Sequence, residues 1–138
     1  MFQSRDEVRQ VYLDVWRKLQ QKDLLEPMEA IIAEVIEIHP EYHSLLEQTE
    51  DIRQQEFTPE RGQTNPFLHM GMHIALREQA GADRPPGIQA IYHRLVASRG
   101  RHEAEHAMME CLGQSLWNAQ RIGVAPDENE YLDCLKKL

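Results

Sequence analysis

Six of the seven histidines fall into three pairs spaced by four residues: His39 with His43, His69 with His73, and His102 with His106. Random placement of seven histidines in 138 residues gives roughly 0.3 such pairs, so the pattern stands above chance. Residues four apart share one face of a helix, with β-carbons roughly 5–6 Å apart. Two imidazoles can then lean onto one ion, at about 2.0–2.1 Å per bond. Glu110 extends the His102–His106 stripe by a further four residues, and Glu103 and Glu105 lie beside it. The expected ligands are therefore His69, His73, His102, His106 and Glu110. Such a nitrogen- and oxygen-rich set suits iron, zinc, manganese or nickel, with iron or zinc foremost, and suits thiolate-preferring ions poorly. Glu103 and His106 also form one Glu-x-x-His step; ferritin-like di-metal bundles use two.

A second chemistry is written in the same residues. His102-Glu103-Ala104-Glu105-His106 matches H-E-x-x-H, in which two histidines hold zinc and the glutamate activates water. Glu103 would then be the catalytic base of a small zinc hydrolase, with Glu128 or Glu130 as a third ligand. Those enzymes usually lay substrate along a sheet edge, and no strand is expected here. A third reading has no metal: a non-enzymatic interaction module would bury its histidine face against a partner or a second copy. Blander roles are expected for other residues. Pro40 separates His39 from His43 and leaves their direction open. His93 reads as a core histidine, Met70, Met72, Met108 and Met109 as core filling, and Cys111 as a buried thiol.

The elements that must position these residues are all helical. Val8, Tyr12, Val15 and Leu19 recur at helical spacing in a first helix over about 4–22, with Ser4 as cap. A second helix starts at Glu26-Pro27 and carries Met28, Ile31, Ile32, Val35 and Ile36. Pro40 lacks the N–H that a continuing helix needs, so the chain restarts there with His39 at the cap. Gln55 to Thr64 reads as a loop. Asn65-Pro66 opens a helix that stops at Gly81. Asp83 to Gly87 is a turn, followed by a short helix to about Ser98. A long helix spans about Arg101 to Ile122, and Pro126 opens the last one. If the helices starting at Pro66, Pro86 and Arg101 run up, down and up, the four histidines of the first and third lie at one end. His93 would fall within roughly 10 Å of that level. One feature pulls the other way. On the long helix His102, His106, Glu110, Gly113 and Trp117 fall on a different face from Met108, Leu112 and Ala119, so both faces are expected to be covered.

Composition bounds the rest. The length suits one domain, 1–138, and the expected fold is all-α, six to seven helices in a small bundle without a sheet. The net charge of -8 repels phosphate, so neither nucleic acid nor an anionic membrane is an expected partner; a homo-oligomer is compatible. No apolar run approaches the roughly 20 residues of a membrane span. Two cysteines make no disulfide framework, and no secretory leader is evident, so the reducing cytoplasm is the expected compartment.

Several blocks carry a resemblance: Asn65-Pro66-Phe67-Leu68-His69-Met70-Gly71-Met72-His73, Arg77-Glu78-Gln79, Asp83-Arg84-Pro85-Pro86-Gly87-Ile88, and His102-Glu103-Ala104-Glu105-His106-Ala107-Met108-Met109-Glu110-Cys111-Leu112. With His39-Pro40-Glu41-Tyr42-His43, they resemble the bacterial family "domain of unknown function 1841" over essentially the whole chain. The resemblance implies a small, stand-alone bacterial protein. It brings no activity, substrate or ligand, so the metal reading rests on the residues alone.

Overall fold

The computed structural model describes residues 5–48, 52 and 65–138. The Ser4 cap and the loop expected from Gln55 to Thr64 lie outside them. The described residues form seven α-helices and one short 3-10 turn, and none is in a strand. The helices are α1 (Arg5–Gln21), α2 (Pro27–Glu37), α3 (His43–Leu46), α4 (Pro66–Ala82), α5 (Ile88–Arg99), α6 (Arg101–Ile122) and α7 (Glu128–Lys136). The 3-10 turn is Pro40–Tyr42. The all-α expectation is met. No described helix is long and apolar enough to cross a membrane.

The chain gathers into two compact units, Met1–Ile74 and Ala75–Leu138, and the division falls inside α4. The first unit has one apolar core. Tyr12, Leu13 and Val15 of α1 meet Ile32, Val35 and Ile36 of α2, with Leu46 and, from α4, Phe67, Met70 and Ile74. The helix starts follow from local chemistry. Glu26 precedes Pro27, and the Glu29 carboxylate accepts from the Glu26 backbone N–H at 3.0 Å. Asn65 Oδ1 accepts from the N–H groups of Phe67 and Leu68 at 3.0 and 3.2 Å, the cap expected there. The α1 stripe needs one correction. Val8 is 40% exposed, and its neighbour Arg9 is buried instead. Arg9 donates to the Ile52 carbonyl at 2.9 Å and lies over the Phe67 ring, so its charge keeps a partner and its stem covers the core.

The second unit is held by polar and covalent links as well as by Ile88, Ile91, Leu95, Met108, Leu112 and Leu135. Arg77 of α4 donates to the carboxylate of Glu105 on α6, its Nε reaching Oε2 at 3.0 Å and its Nη2 reaching Oε1 at 3.3 Å. Both side chains are buried. The Tyr92 hydroxyl of α5 donates to the same carboxylate, and Arg101 Nε donates to the Tyr92 oxygen at 3.2 Å. Burial and the Glu105 partner raise the Tyr92 pKa above its ordinary value. Asp83 Oδ1 ties the turn by accepting from Gly87 and Gln89 N–H, each at 3.0 Å. α4 runs one residue past Gly81, to Ala82, and Gly123, in the left-handed region at φ +81°, ends α6 as expected. The last helix starts two residues after Pro126. Asp127 caps it from outside, accepting from the Asn129 and Glu130 N–H groups.

The cysteines overturn their expectation. Cys111 is not a free thiol: it is bonded to Cys134, joining α6 to α7, and none of the described cysteines is free. Two cysteines are too few to read as a framework in the sequence. The packing of α7 on α6 brings their Cα atoms to 5.8 Å, within bonding reach. Closing a loop of 23 residues contributes about 3 kcal/mol in the chain-entropy view.

Three outcomes are expected. A Cβ on Gly71 would meet the Tyr12 hydroxyl at 3.7 Å, an ordinary contact. Gly71→Ala should therefore stabilise α4 by about 0.5–1 kcal/mol in urea unfolding, since only the entropic cost of glycine is removed. Burial pushes the Tyr12 phenol up to about 12, from 10. The neutral form is the one the fold holds, so this stability is full below pH 10 and lost as pH rises from 10 to 12. Across that window Tyr12→Phe should gain about 2–3 kcal/mol on the wild type. Removing one partner of the buried pair leaves the other uncompensated, so Glu105→Ala should cost about 3–5 kcal/mol. Arg77→Met/Glu105→Leu should recover most of that loss, and an additive double variant would contradict this account.

Candidate metal centre

The first unit brings three imidazoles together from two chain segments. α4 presents His69 and His73 one turn apart, their ring centroids 5.0 Å apart. His39 comes from the break between α2 and the 3-10 turn. Pro40 ends helical continuity there, so His39 sits at the cap position rather than on a helix face. Its ring lies 5.1 Å from that of His69 and 4.9 Å from that of His73. The ligand atoms of His39, His69 and His73 lie within 4.8 Å of one another. Two nitrogens sharing a tetrahedral ion at 2.0–2.1 Å per bond stand about 3.3–3.4 Å apart. The rings would close by roughly one ångström around an ion, a change within the reach of side-chain torsions.

The environment favours ligation. His39 and His73 are 1% and 0% exposed, and His69 is half-buried. His39 Nδ1 stands 2.7 Å from the Val35 carbonyl oxygen. A carbonyl only accepts, so Nδ1 carries the proton and Nε2 keeps its lone pair. Ligating histidines are commonly oriented through their second nitrogen in this way. Tyr42 stacks on the His39 ring, 5.3 Å away and 9° from parallel. Burial raises the Tyr42 pKa above its ordinary value, with Glu41 adding to the shift, and this keeps the phenol neutral. Neither carboxylate nor thiolate belongs to this set of three.

The other candidates belong to other elements. His43 points its Nε2 at the Ile36 carbonyl, 2.9 Å away, and packs on Trp16 with ring centroids 4.6 Å apart. It closes the corner between α2 and α3. In the second unit His102 and His106 meet on α6 with centroids 4.1 Å apart; His102 is exposed and His106 half-buried. Glu103 and Glu110 are exposed. With Arg99, His106 and Ala107 they line an open depression of about 470 Å³. Glu128 is exposed, and Glu130 accepts from Asn118 Nδ2 at 2.9 Å. His93 is exposed beside Tyr92, so the core-histidine reading fails: α5 turns Ile91, Tyr92 and Leu95 inward instead. Trp117 is 57% exposed, with Arg121 over its ring. Met70, Met108 and Met109 are buried as expected, and Met72 partly so.

Sequence reasoning gave two residues too little weight. His39 was tied to His43 by spacing. The intervening Pro40 is the signal that they do not share a helix face, which leaves His39 open to another partner. Glu105 was counted among the carboxylates beside the histidines. It is fully buried, and its signal was the four-residue series His69, His73, Arg77 on α4, which offers a buried cation to an acid. No curated protein and no solved structure matches the chain. Its sequence does match the model of the family described as Domain of unknown function (DUF1841) over residues 4–137, and the chain belongs to that family.

Proposed function

We propose that this chain is a metal-binding helical protein. Its centre takes one divalent transition-metal ion, iron or zinc before others, on His39, His69 and His73 of the first unit. One observation carries the reading: three imidazoles, two of them fully buried, converge within 4.8 Å, and the ring of His39 is oriented through Nδ1. Three imidazoles at this spacing suit one ion, which takes a nitrogen from each. The three imidazoles of the first unit are the part of the ligand set that rests on observed convergence.

An interaction module without metal has one observation in its favour. Leu116, Trp117, Ile122 and Val124 are exposed near the end of α6. Large apolar side chains gathered on a surface often mark an interface.

The two readings separate on metal content. Elemental analysis of purified protein should give one iron or zinc per chain, and added zinc should raise the melting temperature of the stripped protein. His39→Gln and His73→Gln should each lower zinc affinity at least 100-fold by calorimetry, while the exposed His93→Ala leaves it unchanged. Metal well below one per chain, with no thermal shift on adding zinc or iron, would sink the metal centre.

A further inference from the structure

We infer that the Cys111–Cys134 link is a thiol-responsive latch: small thiols open it at the Cys134 sulfur, and Cys111 is the buried thiol that closes it again. All the residues concerned lie in the second unit, and none belongs to the metal centre. The two linked cysteines differ in access. Cys111 is 2% exposed and stands on the inward face of α6 with Ala104, Met108 and Leu112. Cys134 is half-buried. On α7 the inward face is Tyr131 and Leu135, and Cys134 lies at its edge, next to the exposed Asp133.

Thiol–disulfide exchange is an in-line displacement, in which a thiolate approaches one sulfur from the side opposite the other. Solvent meets the Cys134 side of the bond, so Cys134 is the sulfur attacked and Cys111 the sulfur displaced. The small thiol enters as a thiolate, having given its proton to water. Its sulfur bonds to Cys134 Sγ as the Cys111–Cys134 bond breaks. The electron pair of that bond goes to Cys111 Sγ, which takes a proton back and becomes a thiol. One disulfide replaces another, so no external oxidant or reductant is consumed. Burial among apolar side chains disfavours a thiolate, so the displaced Cys111 rests as the thiol. Closing runs the same step backwards: Cys111 loses its proton, bonds Cys134 again and expels the small thiolate.

Closing needs α7 to stay docked while the bond is open, and other contacts hold it. The Tyr131 hydroxyl donates to Gln79 Oε1 at 2.7 Å, and Asn118 Nδ2 donates to Glu130 Oε1 at 2.9 Å. Arg99 Nη2 donates to the Leu138 carbonyl at 2.8 Å, beyond the end of α7. With Tyr131 and Leu135 buried, these contacts keep Cys134 beside Cys111. The buried thiol then meets its partner at a high effective concentration. A link placed in this way persists among thiols because each opening is undone from inside. Cys134 is the modification site, and its ligand class is the low-molecular-weight thiol.

The test uses the full-length, folded chain and glutathione as the small thiol. Incubation with reduced and oxidised glutathione, an acid quench and alkylation of the unfolded chain fix each cysteine for peptide mapping. Chains that carry one glutathione should carry it on Cys134, with Cys111 alkylated. Two single variants check the cause. Toward a disulfide dye reagent, the Cys134 thiol of Cys111→Ser should react faster than the Cys111 thiol of Cys134→Ser by a factor of about ten or more. Urea should bring the two rates together. Circular dichroism checks that both variants keep their helices; if either unfolds, the mapping on the wild type decides. Glutathione on Cys111, or on both cysteines alike, would overturn the latch. So would a link that glutathione opens only in urea, or two thiols that oxidised glutathione leaves unlinked.

Discussion

A carboxylate with no access to water must be met by donors, and in the second unit that requirement falls on Glu105. Its side chain is fully buried, and Arg77, Tyr92 and Arg101 converge on it from α4, α5 and α6. Each donor comes from a different element or a different turn, so satisfying one group fixes the register of three helices. α6 cannot rotate by one residue without turning Glu105 away from Arg77 and leaving two charges unpaired in a dry interior. Such a pair adds little to stability over an apolar core of equal volume. What it contributes here is a unique rotation for α6, and with it the direction of every other residue on that helix. Ala104, Met108, Cys111 and Leu112 turn inward, and His102 and Glu110 turn out.

Along α4 the four-residue step places His69 and His73 on one face. In the first unit the chain meets them with a different device. Pro40 breaks α2 and leaves His39 at the start of a 3-10 turn, where its ring is held from both sides by the Val35 carbonyl and Tyr42. One histidine is placed by a break in helical structure and two by its continuity. Neither device alone would bring three rings to one point.

This division explains what the sequence made legible. Helix positions were readable because caps and breakers act locally: Asn65, Pro27, Gly100 and Gly123 mark boundaries through their own hydrogen bonds and dihedral angles. Histidines spaced by four were readable because spacing determines facing along one helix. His69 and His73 accordingly share a face, and so do His102 and His106. The approach of separate segments was not readable. His39 joining His69, Cys111 joining Cys134 and Glu105 joining Arg77 are each set by packing between helices, and no local spacing encodes them. The inward or outward sense of a stripe was equally hidden. His93 and Trp117 turn outward because Ile91, Tyr92 and Leu95 on α5, and Met108 and Leu112 on α6, present more apolar surface to the core.

The ligand set bears on which chemistry such a centre can host. Carboxylate-bridged di-metal sites depend on acids that span two ions and offset their charge. Here the single Glu-x-x-His step is split by exposure, with Glu103 at the surface and His106 half-buried. A ligating imidazole brings no charge, so an ion held by three of them would keep its full double charge. Hard cations such as magnesium and calcium seek oxygen and gain little from imidazole, whereas zinc, nickel, copper and iron bind it well. An uncompensated charge of that kind favours an anionic ligand at any open position and acidifies a bound water. On the proposed reading, three imidazoles without an acid suit a mononuclear, nitrogen-bound ion and disfavour a bridged pair.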